Sequence, residues 1–316
     1  MIDPTRRQFV LSFAALAMLQ ACKGGGTAKN GEIRIGYLRT QGPIVDLAID
    51  PQFTGSAIKL FPFESGNDVL EAVIARAVDV GETGEVQPIF AQSAGQKVKV
   101  VGSTMPALLT SMLVRKDAPL RTIADLKGRK VSFVEGTNSH WLLISALRSA
   151  GLKQGDIVPV SLNGPDALTS LLNGQVDAIV TTTPATQVAL TQGARELFNN
   201  GGLTNSALYY VATDETVRDR PDAVATFLKA LSQHTRWTAA NPDKFVAHAV
   251  KELGVTPQVA ASLWKAVPKG LAPVGTGAIG AYNQRIADAF LAQKLIPAWI
   301  DAAEGVDGRF DKVLAA

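Results

Sequence analysis

Apolar and polar positions along this chain follow two alternating rhythms. Short apolar runs at 33–38, 57–63, 78–81 and 98–102 read as strands, and the amphipathic stretches 68–77 and 87–94 between them carry apolar residues at helical spacing. The same rhythm restarts after Asp117-Ala118-Pro119, with 130–134 as strand, 139–150 as helix, 157–161 as strand, 165–172 as helix and 176–180 as strand. Alternation of this kind predicts a parallel α/β sheet, and its restart predicts two similar α/β lobes. Two further apolar, β-prone stretches, 111–116 and 207–213, bracket the second lobe and read as the crossing strands of a hinge. From Asp222 the pattern is helical, with 223–240, 243–253, 257–265 and 278–294 broken by Pro and Gly and expected to pack on the first lobe and complete it. The resulting division is 32–113 plus 211–316 for the first lobe and 114–210 for the second.

The first 31 residues follow neither rhythm. Arg6 and Arg7 precede an apolar run, 9–19, that is too short to span a bilayer as a stable helix and ends in Leu19-Gln20-Ala21-Cys22. Residues 1–21 therefore read as a lipoprotein signal peptide whose arginine pair resembles a twin-arginine export signal, with Cys22 as the lipidated residue. The bland alternative makes Cys22 a core thiol, but Lys23-Gly24-Gly25-Gly26-Thr27 continues a helix only at a cost. Residues 22–31 read as a flexible tether. The expectation is a protein on the periplasmic or cell-surface side of a membrane, anchored through a lipid on Cys22.

Composition removes several function classes. The net charge is +3, without a basic block, so nucleic acid is not an expected partner. A single cysteine leaves no internal disulfide and no thiolate metal cluster, while His140, His234 and His248 are too scattered for a metal site. His140 is expected to be solvated in a first helical turn. There is no Gly-x-Ser-x-Gly elbow and no Gly-rich phosphate loop, so neither catalysis nor a cofactor is expected.

In an open α/β sheet, ligands bind beyond the carboxyl ends of strands, where loops enter helices and backbone N–H groups point outward. Four segments qualify: Gly36-Tyr37-Leu38-Arg39-Thr40-Gln41, Gly81-Glu82-Thr83-Gly84-Glu85, Glu135-Gly136-Thr137-Asn138-Ser139, and Thr181-Thr182-Thr183-Pro184. Thr137, Asn138 and Ser139 place two hydroxyls and an amide at a helix start, which suits an anionic head group; a helix cap alone would account for one of them. Thr83 offers a hydroxyl, Gly84 allows close backbone approach, and Arg39 offers a bidentate guanidinium or is simply an exposed loop arginine. Glu82 and Glu85 complicate an anion-only picture, because a carboxylate at a cleft repels an anion. Glu85 is expected to favour the following helix through its dipole, and Glu82 to meet an amine or point elsewhere. Tyr37, Trp141, Tyr209 and Tyr210 are candidates for an apolar wall, or for core.

Read together, these segments resemble the substrate-binding proteins of ABC importers for aliphatic sulfonates, within the wider sulfonate, taurine, nitrate and thiamine-precursor binding group. The residues that carry the likeness are Ile35-Gly36-Tyr37, Thr83-Gly84-Glu85 with Gln87-Pro88-Ile89-Phe90-Ala91-Gln92, Ala124 to Val131, Gly136-Thr137-Asn138-Ser139-His140, Val176-Asp177-Ala178 and Gln284-Arg285-Ile286-Ala287-Asp288. The resemblance implies a type II periplasmic-binding-protein fold and a monomer that closes on a small organic anion and docks on an ABC permease. Its ligand loops fall on Gly36 and Tyr37, on Thr83, Gly84 and Glu85, and on Thr137, Asn138 and Ser139. The fourth loop departs: relatives often read Trp-Asp-Pro-Tyr where this chain has Thr182-Thr183-Pro184-Ala185, which implies a wider site and a ligand larger than a short alkanesulfonate. Alternatives on the same fold are a thiamine-pyrimidine-precursor binding or synthase-like protein and a ligand-sensing partner of a membrane receptor.

Overall fold

The computed structural model describes residues 32–39, 42–47, 55, 57–162, 164–275 and 277–315. The leader 1–21, Cys22, the tether 22–31, and Thr40 and Gln41 of the first loop lie outside the described residues. In chain order the first part runs β1 (Ile33–Leu38), α1 (Pro43–Leu47), β2 (Ile58–Phe63), α2 (Gly66–Ile74), β3 (Val80–Gly84), α3 (Gln87–Ser93) and β4 (Val98–Thr104). The second comprises β5 (Thr110–Arg115), β6 (Lys130–Phe133), α4 (Asn138–Ser149), β7 (Val158–Ser161), α5 (Gly164–Leu172), β8 (Ala178–Thr182), α6 (Ala185–Thr191) and β9 (Ala194–Asn199). The chain then returns through β10 (Leu208–Thr213) to α7 (Asp214–Asp219), α8 (Pro221–Ala240), α9 (Pro242–Leu253), α10 (Pro257–Ala266), β11 (Leu271–Ala272), α11 (Ala278–Ala292) and α12 (Asp311–Ala315).

Two sheets result, ordered β11-β4-β10-β3-β1-β2 and β7-β6-β8-β5-β9. The α/β alternation produces the parallel pairs β1 with β2 and β3, and β6 with β7 and β8. The sheets are mixed rather than wholly parallel, because β10 runs antiparallel to β3 and β4, and β5 antiparallel to β8 and β9. These are the first strands the chain forms after each crossing, and each enters its sheet from the end opposite to its neighbours. The fold is thus the type II periplasmic-binding-protein arrangement of two α/β lobes joined by two crossings.

Each sheet is covered on both faces, so its central strands are buried whether their residues are apolar or, like Glu82 and Thr83 of β3, polar. On the first sheet, Val224, Phe227, Leu228 and Leu231 of α8 cover Ile33, Ile35 and Val80, while Leu70 and Val73 of α2 meet Val100, Tyr209 and Val211 on the other side. On the second, Leu142, Leu143 and Leu147 of α4 pack on Val131 and Phe133, and Leu171 and Ala189 cover Leu113 and Ile179.

The C-terminal helices do not serve the first sheet alone. Val188 of α6 packs into the apolar cluster of α9 and α10 around Phe245, Ala260 and Leu263. Tyr282, Ile286 and Phe290 of α11 join Val86 and Ile89 at α3 to Trp141 and Ile144 of α4. Both ends of the second lobe are therefore gripped by elements that follow β10.

The crossings themselves are 105–109 and 200–207, and they bond to one another. Ala107 N donates to Asn205 O at 3.2 Å, and the Asn200 side chain donates to Ala107 O at 2.9 Å while accepting from Thr110 N at 3.1 Å. Ser206 holds a φ of +50°, a region disfavoured for a residue with a side chain.

Candidate functional site

The four candidate loops follow β1, β3, β6 and β8, two on each sheet, and they meet around the hinge. Asn138 makes the direct link. It opens α4 on the second sheet, and its Oδ1 accepts from Glu85 N at 2.9 Å while its Nδ2 donates to Ala207 O at 3.2 Å. The fourth loop is tied to the same place by Thr183 N, which donates to Leu109 O at 2.9 Å; Thr183 is buried, and Thr182 and Pro184 are half-buried.

The start of α4 is built without a side-chain cap. Thr137 occupies the N-cap position, but its hydroxyl donates backward to Val134 O at 2.7 Å and makes no cap bond. Ser65, Thr213 and Thr256, in contrast, do cap α2, α7 and α10. The nearly buried Ser139 hydroxyl takes no partner among the described residues. Helix N–H groups and a hydroxyl are thus left over at a buried helix start, the partial positive charge that an anion requires. An uncapped start is not diagnostic alone, since α8 and α9 begin with proline and also lack a side-chain cap.

Two glycines of the site serve packing. A methyl group on Gly84 would stand 2.5 Å from Asn138 Oδ1, so the close approach made there is that of the Asn138 side chain. Gly36 is buried, and its added carbon would lie 3.1 Å from Phe63 and 3.3 Å from Val69 in the core. Thr83 is fully buried, with its hydroxyl on Gly84 O at 3.0 Å. Tyr37 is half-buried between Arg39 and Glu82. Arg39 is exposed and ion-paired with Glu64, itself exposed.

The two glutamates act differently from the dipole and amine roles expected of them. Glu85 is fully buried and accepts from Ser206 N at 3.2 Å, Ala207 N at 3.1 Å and the Tyr282 hydroxyl at 2.9 Å, so it fastens the hinge. Burial pushes its carboxyl up to about 7 against the pull of those three donors. Glu82 is also fully buried, beside Gly42, and faces the Tyr210 hydroxyl and the backbone N–H groups of Leu38 and Ile44. None of these reaches full hydrogen-bond geometry, and burial pushes Glu82 up to about 8. At neutral pH Glu82 is therefore mostly uncharged and does not repel an anion.

Other aromatic and imidazole groups belong to the interior. Tyr210 lies in the first core with its ring against Phe227, Tyr209 donates to Asn283 Oδ1 at 2.8 Å, and Trp141 sits in the cluster that joins α4 to α11. His140 is fully buried between Phe133 and Phe290, with Nε2 2.9 Å from Gln154 Oε1, and burial lowers its pKa; it is not the solvated residue expected. The heptad-like stripe of α11 hid a functional residue: Tyr282, one turn before Ile286, has the spacing of a core side chain, yet its hydroxyl is a junction of the hinge. No cluster of metal-ligating side chains occurs among the described residues, and no described helix is long and apolar enough to cross a membrane.

Residues 54–245 match the family described as NMT1/THI5 like. An Escherichia coli (strain K12) protein named as aliphatic sulfonates-binding is 30% identical over 303 residues, covering 94% of this chain and 95% of its own. Among solved structures, the periplasmic aliphatic sulphonate binding protein of Escherichia coli superposes with a TM-score of 0.80 at 31% identity, over 88% of this chain and 92% of that one. The alkanesulfonate-binding protein of Xanthomonas axonopodis pv. citri, bound to MOPS, gives 0.81 at 27% identity over 89% and 99%.

Proposed function

We infer the function from the family to which this chain belongs, that of the NMT1/THI5-like proteins: it is the extracytoplasmic solute-binding component of an ABC importer. It captures a small organic anion, a sulfonate, between lobes formed by 32–113 with 211–316 and by 114–210, and hands it to a membrane permease. Binding, not catalysis, is its task. Residues 1–21 direct export, and a lipid on Cys22 holds the monomer at the membrane surface. The observation that carries the ligand class is the start of α4, where uncapped N–H groups and the unpartnered Ser139 hydroxyl lie beside Glu85 and the hinge.

The head group is received by the free N–H groups at the start of α4 and by the Ser139 hydroxyl, with Thr137 as the N-cap residue whose own hydroxyl is spent on Val134 O and Asn138 holding the helix start against Gly84 and Glu85. Thr182 and Thr183 complete the polar lining and Tyr37 with Arg39 forms the first-lobe rim, while the buried Gly36, Gly84 and Thr83 shape the site from behind and Tyr210 acts through Glu82. A mostly neutral Glu82 removes one electrostatic objection to an anion, and Glu85, pushed up to about 7, is partly protonated at neutral pH with its oxygens turned to Ser206, Ala207 and Tyr282. The small Thr182-Thr183-Pro184-Ala185 segment leaves room for a body larger than a short alkyl chain, and a relative that binds MOPS, a sulfonate with a ring, fits that reading.

A thermal-shift screen of the chain from Lys23 onward, against alkyl and aryl sulfonates, sulfate esters, carboxylates, nitrate and pyrimidines, tests this. A native-state ligand raises the melting temperature in a concentration-dependent manner. A rise with sulfonates that Ser139→Ala reduces supports the reading. A response to pyrimidines or carboxylates alone reassigns the ligand, and silence to all of them removes the importer reading in favour of a sensor.

A further inference from the structure

A cavity of about 360 Å³ opens on the hinge and shares no residue with the four loops. Its walls are the crossing segments 106–108 and 200–205 together with Tyr282 and Arg285 of α11. That volume lies within the range of small-molecule sites. Its lining has a definite chemistry. Arg285 supplies the one charge among the lining residues, and its guanidinium rests over the Tyr282 ring at 5.0 Å. Thr204 is more than nine-tenths buried, and its hydroxyl has no partner. Pro106, Leu108 and Leu203 give an apolar side, with Leu108 54% exposed although it stands at a crossing that must be held in place.

A guanidinium backed by an aromatic face selects an anion with a flat or apolar body, since the charge pairs with the head group while ring and leucines cover the rest. A lining with no acidic residue argues against cations and metals. We propose that this cavity is a second binding site, for a small organic carboxylate or sulfonate, placed on the hinge itself. An occupant touches both crossings and α11 at once, so it stabilises whichever arrangement of the lobes brings those three segments together. The site is distinct from the cleft and does not depend on the cleft's ligand.

The probes are 4-fluorobenzoate and 4-fluorobenzenesulfonate, titrated into the isotopically labelled protein while backbone amide resonances are followed. Saturable shifts at Gly201, Gly202 and Asn205 are expected with at least one probe, and Arg285→Ala weakens that binding about tenfold or more. Arg285 is exposed, so its replacement leaves the fold intact. Shifts at the Ser139 amide report the cleft separately. The proposal is overturned if the three hinge amides show no saturable shift with either probe, or if Arg285→Ala binds as tightly as the parent.

Discussion

Trp141 Nε1 donates to the Tyr282 hydroxyl at 2.9 Å, joining the second-lobe helix α4 to the C-terminal helix α11 across the base of the cleft. The same hydroxyl accepts from Asn205 N at 2.9 Å and donates to Glu85 Oε1 at 2.9 Å. One oxygen therefore ties together both lobes and a crossing. Tyr282→Phe leaves a buried donor, Trp141 Nε1, and a half-buried one, Asn205 N, without an acceptor and Glu85 with one donor fewer. A loss of about 2–4 kcal/mol is expected, read as a lower urea midpoint at unchanged slope; a loss below about 0.5 kcal/mol contradicts the junction role.

Stability is expected to fall as pH rises from mildly acidic to mildly basic. Glu82 and Glu85 are pushed up to about 8 and about 7 from 4.5, so the folded chain holds their protons more tightly than the unfolded chain does. Their contribution is fully present below the unfolded value and is lost as pH rises through 7 and then 8. The change is on the order of a few kcal/mol. Melting curves across that interval check it, and Glu82→Gln should flatten the upper part of the slope. A parent protein equally stable at both ends would contradict the burial of these two carboxyls.

Asn138 and Ser139 are neighbours with separable tasks. Asn138→Ala breaks two buried bonds, one to Glu85 of the first lobe and one to Ala207 of a crossing, and is expected to destabilise by about 1–3 kcal/mol whether or not ligand is present. Ser139→Ala breaks no bond within the protein, so its melting temperature without ligand should match the parent while anion affinity drops about tenfold. Calorimetric titration beside denaturant unfolding separates the two. Equal effects on stability would mean that the Ser139 hydroxyl is structural.

Gly84→Ala is expected to act through Asn138. The new methyl would meet Asn138 Oδ1 and Gln87 Oε1 at 2.5 and 2.6 Å, so the amide must swing away from Glu85 N. Combining Gly84→Ala with Asn138→Ala should cost less than the sum of the separate changes, since the second removes the atom that the first strikes. Additive losses in denaturant unfolding would place the strain elsewhere.

Strands β1, β2, β4, β6 and β7 and the long C-terminal helices were legible within a few residues, because each is an apolar stretch at the spacing of its element; burial follows in β1, β4 and β6, whereas the edge strands β2 and β7 stay largely exposed. The edge strand β9, Ala194–Asn199, was not: Arg195 and Glu196 interrupt its apolar pattern, and its pairing with β5 is settled only by tertiary contact. The four loops were legible as places, since strand ends leading into helices mark them. What their side chains do was less so. Glu85 has no sequence neighbour that foretells Ser206 and Ala207, 121 and 122 positions away, and Tyr210 differs from a cleft tyrosine only in which face of β10 it occupies.

The grip of α11 and α3 on the start of α4 has a mechanical consequence. Asn138, Trp141 and Ile144 are fixed to the first lobe by hydrogen bonds and apolar contact, within two turns of the helix that carries them. Any relative rotation that preserves those contacts must take its axle through the beginning of α4, so Ser139 travels little while the parts of each lobe far from that helix start travel most. An anion could then be seated at the axle before the jaws move, and the work of closing would fall on the far end of the ligand.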